Sequence, residues 1–351
     1  MSLEVRIGNK IIGDNQPCFV IAEMSGNHNM DYHRAEAILR AAADAGVDAI
    51  KLQTYTADTI TLNSNDPIFR TEDGGLWEGQ SLYELYQKAY TPWEWQPRLK
   101  QLADDLGLIL FSSPFDVTAV DFLEGMNVPA YKIASFEIMD TQLVREVAKT
   151  GKPILISTGI ATIEEIQRAI DICREEENEQ VVLLKCTSAY PAPFSEMNLK
   201  MIPNMKETFS CQVGLSDHTL GDEVAVAAVA LGAKVIEKHF TIKRSDGGVD
   251  ADFSMEAEEM KDMVRHIRNV EDAMGKVDYA LTDVQKRKRR SGRSLFVSEP
   301  IKCGEVFTKK NIRSVRPANG LGVRYMDQIL GKQASRDLDF AKPLEWKDIA
   351  D

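Results

Sequence analysis

Two histidines, two lysines and two glutamates are the residues whose spacing could do chemistry. His218 stands in VGLSDHT and His239 in VIEKHFT, each at the end of a short apolar run, and the two runs are consecutive. Neighbouring strands of a sheet lie about 4.8 Å apart, so imidazoles at adjacent strand ends can reach one ion. Neutral imidazole suits manganese, zinc, cobalt or iron, and two protein ligands leave room for water and substrate. Core histidines with satisfied hydrogen bonds would show the same spacing, so geometry alone leaves both readings open. Lys51 in AIKLQTYT and Lys132 in YKIASFE also stand near the ends of apolar runs, beside serines and threonines. A lone lysine there is ordinarily a surface charge, whereas two beside hydroxyls on a converging rim read as an anion site. Lys132 admits a rival chemistry, the Schiff base of a metal-independent aldolase. Borohydride trapping with a carbonyl substrate, against loss of activity on chelation, separates the two.

Such residues need elements that hold them in register. Eight brief, β-rich apolar runs are expected as strands at 18–23, 48–53, 108–112, 130–134, 153–157, 181–186, 212–216 and 234–239. Stretches with helical spacing alternate with them, as at 32–45 and 163–175. Strand–helix alternation of this kind predicts a parallel (β/α)8 TIM barrel. An open doubly wound sheet would need a GxGxxG after the first strand; IAEMSGNHN has none, and the pair Gly74–Gly75 falls in a long polar loop. The strand ends carry Glu23; Lys51 and Gln53; Ser112 and Ser113; Lys132 and Ser135; Ser157 and Thr158; Thr187 and Ser188; Ser216 and His218; Glu237 and His239. Barrel enzymes build their sites on that rim, and parity places Lys51 with Gln53, Ile21 with Glu23, and Glu237 with His239 on shared faces. His33 and His266 read as helix-surface residues, and His28 as a support for the loop after Glu23.

The chain is 351 residues long, more than the about 250 of a barrel. The expected division is a barrel with a short opening hairpin over 1–275, a charged linker over 276–290 and a small β-rich domain over 291–351. A net charge of −12, from 42 basic and 54 acidic residues, argues against nucleic acid or anionic membrane as a partner. The basic run from Lys286 to Arg293 reads as a solvated linker or an interface segment. Five scattered cysteines without a CxxC speak against a disulfide framework or a zinc–thiolate site. With no hydrophobic leader and no long apolar segment, a soluble cytoplasmic protein is expected.

The strings FVIAEMSGNHN, AIKLQTYT, FSSPFD, YKIASFE, ISTGIA, LLKCTSAYP, VGLSDHT and VIEKHFT resemble, in order, the motifs of the sialic acid synthase family. RSLFVSEPIKCGEVFTKKNIRSVRPANGLG is similar to the antifreeze-like (SAF) domain attached to those barrels, so the resemblance covers the whole chain. It implies a transferase that condenses phosphoenolpyruvate with an acetamido sugar, aided by a divalent metal ion, manganese ahead of magnesium or cobalt. Carried over by motif, His218 and His239 hold the metal. Lys51, Ser113, Lys132, Ser135, Ser188 and Ser216 hold the phosphate and carboxylate of phosphoenolpyruvate. Glu23, Gln53, Tyr190 and Asp250 meet the sugar, Glu23 also handling a proton, and Glu237 stands beside the metal or phosphate. The family often has asparagine where Ser188 stands and threonine where Ser113 stands; both departures keep a hydrogen-bond donor. The long loop over 61–95, with SVRPANGLG, is similar to the branch that takes a diacetamido sugar. The resemblance further implies a domain-swapped homodimer in which Arg316 of VRPANG reaches the partner's sugar, with Arg293 as a second candidate. The family's aromatic contact near the linker has no counterpart in RRSGRSL. A sugar-binding or ice-binding role, suggested by the antifreeze-like part alone, would leave the polar rim and the histidine pair without a use.

Overall fold

Val5–Ile7 (β1) and Lys10–Ile12 (β2) pair antiparallel, turning at Gly8, whose φ of +56° suits glycine. The structure, a computed structural model, describes residues 4–71 and 77–350, so Gly74 and Gly75 lie outside the described residues. This hairpin lies across the N-terminal edge of the strands that follow. Lys10 Nζ donates to Asp48 Oδ1 at 2.7 Å, just ahead of one strand, and Lys234 Nζ donates to the Gln16 carbonyl at 3.0 Å, just ahead of another.

The next strands are Phe19–Glu23 (β3), Ala49–Thr54 (β4), Ile109–Pro114 (β5), Tyr131–Ile133 (β6), Ile154–Ser157 (β7), Val181–Cys186 (β8), Gln212–Asp217 (β9) and Val235–His239 (β10). Each is parallel to its neighbours and β10 returns to β3, which closes an eight-stranded barrel. Both faces of the strands are covered, so nearly every strand residue is buried, as parallel sheets require. All eight expected strands are present, with β5 running two residues further, through Pro114.

Helices cover the outside because their apolar residues fall on one stripe. Ile163–Glu175 starts at a reciprocal cap between Thr162 and Glu165, and buries Ile166, Ala169, Ile170 and Cys173 against the barrel. Tyr32–Ala45 begins at Asp31, whose side chain accepts from the His33 N–H, and ends at Gly46 in the left-handed region, φ +80°. His28 is buried, accepts from the Met30 N–H at 3.1 Å and meets the Trp95 ring edge-on. It supports its loop. His266 is half-exposed and bonded to Asp222.

The chain separates into two compact units, Met1–Gly275 and Lys276–Asp351. In the second, Ser294–Val297 (β11) pairs antiparallel with Ile312–Val315 (β12) over a core that includes Leu295, Phe307, Ile312 and Leu338. The segment read as a plain linker contains a short helix, Asp283–Lys288. Its exposed residues gave no amphipathic stripe to read, but a reciprocal Thr282–Gln285 cap starts it and Lys286, Arg287 and Lys288 suit its C-terminal end. All five cysteines are free, and among the described residues no helix is long and apolar enough to cross a membrane.

Candidate active site

The C-terminal ends of four strands put four opposite charges in one buried row. Lys51 on β4 forms an ion pair with Glu23 on β3, donates to Ser113 Oγ at 3.3 Å and stands 3.9 Å from Glu237 Oε1. Lys132 on β6 donates to the same Glu237 oxygen at 3.3 Å, and Ser216 Oγ donates to it at 3.2 Å. Because β6 and β10 sit on opposite sides of the ring, the Lys132–Glu237 pair crosses the barrel. None of the four charged side chains is more than 4% exposed.

Taking such charges out of water is costly unless each is paired. Burial raises the Glu23 carboxyl above its usual range despite Lys51. Burial presses on Glu237 in the same direction, but Lys132 and Lys51 outweigh it and hold that carboxyl low. Burial would lower the Lys51 ammonium, yet Glu23 and Glu237 keep it raised. The row is thus built of two lysine–glutamate pairs, Lys51 with Glu23 and Lys132 with Glu237.

Hydroxyls line one side of it. The Gly159 N–H donates to Ser135 Oγ at 3.2 Å, joining the loops after β6 and β7. A Cβ at Gly159 would run into Ser188 Oγ and come within 2.7 Å of Ser135 Oγ, so a side chain there would force these serines aside where the loops meet. Ser157 Oγ and Ser188 Oγ are buried there without a hydrogen-bond partner. Unused buried donors are costly, and an anion in the cradle would use them.

The histidines stand together, their ring centroids 5.3 Å apart. His218 Nδ1 lies 3.0 Å from the Thr187 carbonyl, which places the ring proton on Nδ1 and leaves Nε2 as the free lone pair. His239 Nδ1 is buried with no hydrogen bond, 3.7 Å from Asp250 Oδ2. Burial, then the charges of His218, Lys51 and Lys132, keep the His239 ring from taking a proton. Among the described residues no group of three or more His, Cys, Asp or Glu side chains is arranged to hold an ion. The two imidazoles, side by side and with His218 Nε2 unbonded, could together hold a divalent cation whose other positions stay open to water and substrate.

Around the histidines lies a polar and aromatic rim. Gln53 Nε2 donates to Glu23 Oε1 and to Ser25 Oγ, both at 3.1 Å, and Ser25 donates to Asp250. Tyr190 packs on His218 at 4.5 Å between centroids, Phe253 on His239 at 4.8 Å, and Trp77 reaches Tyr190 at 6.1 Å while donating to the Val249 carbonyl at 2.9 Å. The barrel therefore brings together Glu23, Lys51, Gln53, Ser113, Lys132, Ser135, Ser188, Tyr190, Ser216, Glu237 and Asp250 with the two histidines. Arg316 and Arg293 belong to the second unit, where both are exposed and Arg293 donates to the Ser314 carbonyl at 2.8 Å.

Ser25, Trp77, Phe253 and Glu137 were not anticipated. Glu137 closes the motif YKIASFE, two residues after Ser135, and that spacing was the available signal. Its Oε2 is buried without a partner, and burial pushes its carboxyl up to about 7 against the opposing charges of Lys132 and Lys51.

Comparison with known proteins places this geometry. The chain matches the NeuB family over residues 38–279 and the SAF domain over residues 292–350. It is 45% identical over 345 residues to a pseudaminic acid synthase of Campylobacter jejuni subsp. jejuni serotype O:23/36 (strain 81-176), covering 98% of this chain and 100% of that one. It is 36% identical over 322 residues to an N,N'-diacetyllegionaminic acid synthase of Campylobacter jejuni subsp. jejuni serotype O:2, covering 91% of this chain and 96% of that one. The solved N-acetylneuraminic acid synthetase of Leptospira borgpetersenii serovar Hardjo-bovis, in complex with citrate, superposes with a TM-score of 0.74 at 30% identity, over 82% of this chain and 95% of that one.

Proposed function

The chain belongs to the NeuB family, and from that premise we propose that it acts as a pseudaminic acid synthase. It condenses phosphoenolpyruvate with 2,4-diacetamido-2,4,6-trideoxy-L-altrose and water, giving pseudaminic acid and inorganic phosphate by C–O cleavage. The observation that carries the reading is the buried row Glu23–Lys51–Glu237–Lys132 beside the histidine pair. Likeness over nearly the whole chain to a pseudaminic acid synthase, at 45% against 36% for a legionaminic acid synthase, supports this acceptor.

The phosphate and carboxylate of phosphoenolpyruvate lie against Lys51, Lys132 and the hydroxyls of Ser113, Ser135, Ser188 and Ser216. There the two ammonium groups and the unused hydroxyls stabilise the charge that gathers on the departing phosphate. A divalent cation held by His218 and His239, manganese ahead of magnesium or cobalt, supplies Lewis acidity toward the carbonyl of the open-chain sugar. Gln53, Tyr190 and Asp250 orient that sugar so that its aldehyde carbon meets C3 of phosphoenolpyruvate, and the new C–C bond leaves positive charge at C2. Water adds at C2, its proton passing toward Glu23 or Glu237, and the C2–O bond breaks with the electron pair leaving on phosphate. Glu23, raised by burial and tied to Gln53 on the sugar side, is suited to proton transfer.

The second unit is proposed to cover the mouth of a partner's barrel in a domain-swapped homodimer, with Arg316 reaching the sugar. Support comes from an arc of exposed apolar residues on the loops after β6 to β9: Phe136, Met139, Ile160, Ile163, Phe194 and Leu220. An arc of this kind marks a surface that is covered in use.

Phosphate release from phosphoenolpyruvate, measured with a panel of diacetamido and monoacetamido sugars with and without chelator, tests the reading. Release with the diacetamido altrose, abolished by chelator and restored by manganese, is expected. A preference for the legionaminic precursor or for N-acetylmannosamine would move the acceptor, and chelator-resistant turnover would remove the metal.

A further inference from the structure

We propose that Asp217 and Lys238, on the outward face of the barrel, are positioning residues that set the two metal-holding histidines relative to each other. The inference rests on the reading of His218 and His239 as the metal site. The register of β9 and β10 pairs Ser216 with Glu237 and Lys238 with Asp217. Ser216 and Glu237 meet in the barrel centre, so with a period of two Asp217 and Lys238 turn the other way, toward the helices.

There they make a closed set of bonds. Lys238 Nζ donates to Asp217 Oδ2 and to the Thr219 carbonyl, both at 2.7 Å. Asp217 Oδ1 accepts from the Thr219 N–H at 2.9 Å and from its hydroxyl at 2.8 Å. The two charged side chains are 1% and 0% exposed. The residues on both sides of His218 are thereby tied to the residue immediately before His239. Neither strand end can slide or twist without breaking one of these bonds.

Stability alone is a poor reason for such a pair. A fully buried ion pair can often be replaced by apolar side chains of similar volume without loss, and sometimes with gain. What the pair supplies and an apolar contact does not is fixed length and direction, which metal ligands require.

The test is manganese binding by the full chain, read from the electron paramagnetic resonance signal of free Mn2+, with the melting temperature and the steady-state constants alongside. Three variants are compared with the unaltered protein: D217N, K238R and the apolar double D217L/K238M. Each is expected to weaken Mn2+ binding by about 10- to 100-fold and to lower kcat while KM for phosphoenolpyruvate stays put. The double variant should melt close to the unaltered protein. A double variant with unchanged Mn2+ affinity and kcat would show that the pair only fills space, and overturns the proposal. K238R decides the matter if the double fails to fold, since arginine keeps the charge and changes the reach; unaltered Mn2+ affinity there overturns it equally. An unaltered protein that takes up no Mn2+, or whose uptake survives H218A, would instead remove the metal reading, and this inference with it.

Discussion

At the scale of single residues, Glu137 sets burial against charge most directly. Its Oε2 has no hydrogen-bond partner, and burial lifts its carboxyl from 4.5 to about 7. The fold therefore protonates this group more readily than the unfolded chain does. Below pH 4.5 both states hold the proton and the group costs nothing. As pH rises toward 7 the unfolded chain releases it first, and stability is lost across that window. Glu137→Gln removes the titration, so the variant should gain on the unaltered protein between those pH values, levelling at roughly 3 kcal/mol at most. Urea denaturation at a series of pH values measures it, and a gap that does not change with pH would show a carboxyl in contact with water.

At the scale of elements, the turn after β7 matters because three loops converge on Gly159. A methyl group there would strike Ser188 and crowd Ser135. Gly159→Ala is expected to leave the barrel's circular dichroism unchanged and to lower kcat/KM for phosphoenolpyruvate on the order of 100-fold. An unaffected constant would mean that the serines do not form one cradle. The elements themselves were largely legible in the sequence. The helices Tyr32–Ala45 and Ile163–Glu175 and the strand Val181–Cys186 stand where periodicity and short apolar runs place them. The helix Asp283–Lys288 was not, because every residue of it is exposed and periodicity has nothing to report. Polar strand ends revealed the inward row, since Lys51, Gln53, Glu237 and His239 obey a period of two. The same alternation hid Asp217 and Lys238: charged residues of the opposite parity read as surface, and only packing shows them buried as a pair. Trp77 and Phe253 escaped notice because loop residues carry no periodic signal at all.

At the scale of the whole molecule, the proposed dimer has a sharp genetic signature. If Arg316 serves the partner's site, His218→Ala and Arg316→Ala are each inactive, and mixed dimers of the two regain one working site. Unfolding and refolding an equal mixture should restore about a quarter of the unaltered activity, as random pairing of two-fold subunits requires. A mixture that stays inactive would place Arg316 within its own chain's chemistry, and an Arg316→Ala variant that is active by itself would place it outside the chemistry altogether. The hairpin at the other end of the barrel bears on the same traffic. With the interior filled by side chains and β1 and β2 at the N-terminal end, the site is reached from the C-terminal mouth. The lysines proposed for phosphoenolpyruvate are buried deeper than the rim residues proposed for the sugar. A sugar already seated would therefore stand in the doorway. With those assignments the reaction would be a queue, phosphoenolpyruvate first in, the sugar behind it, and the phosphate last out.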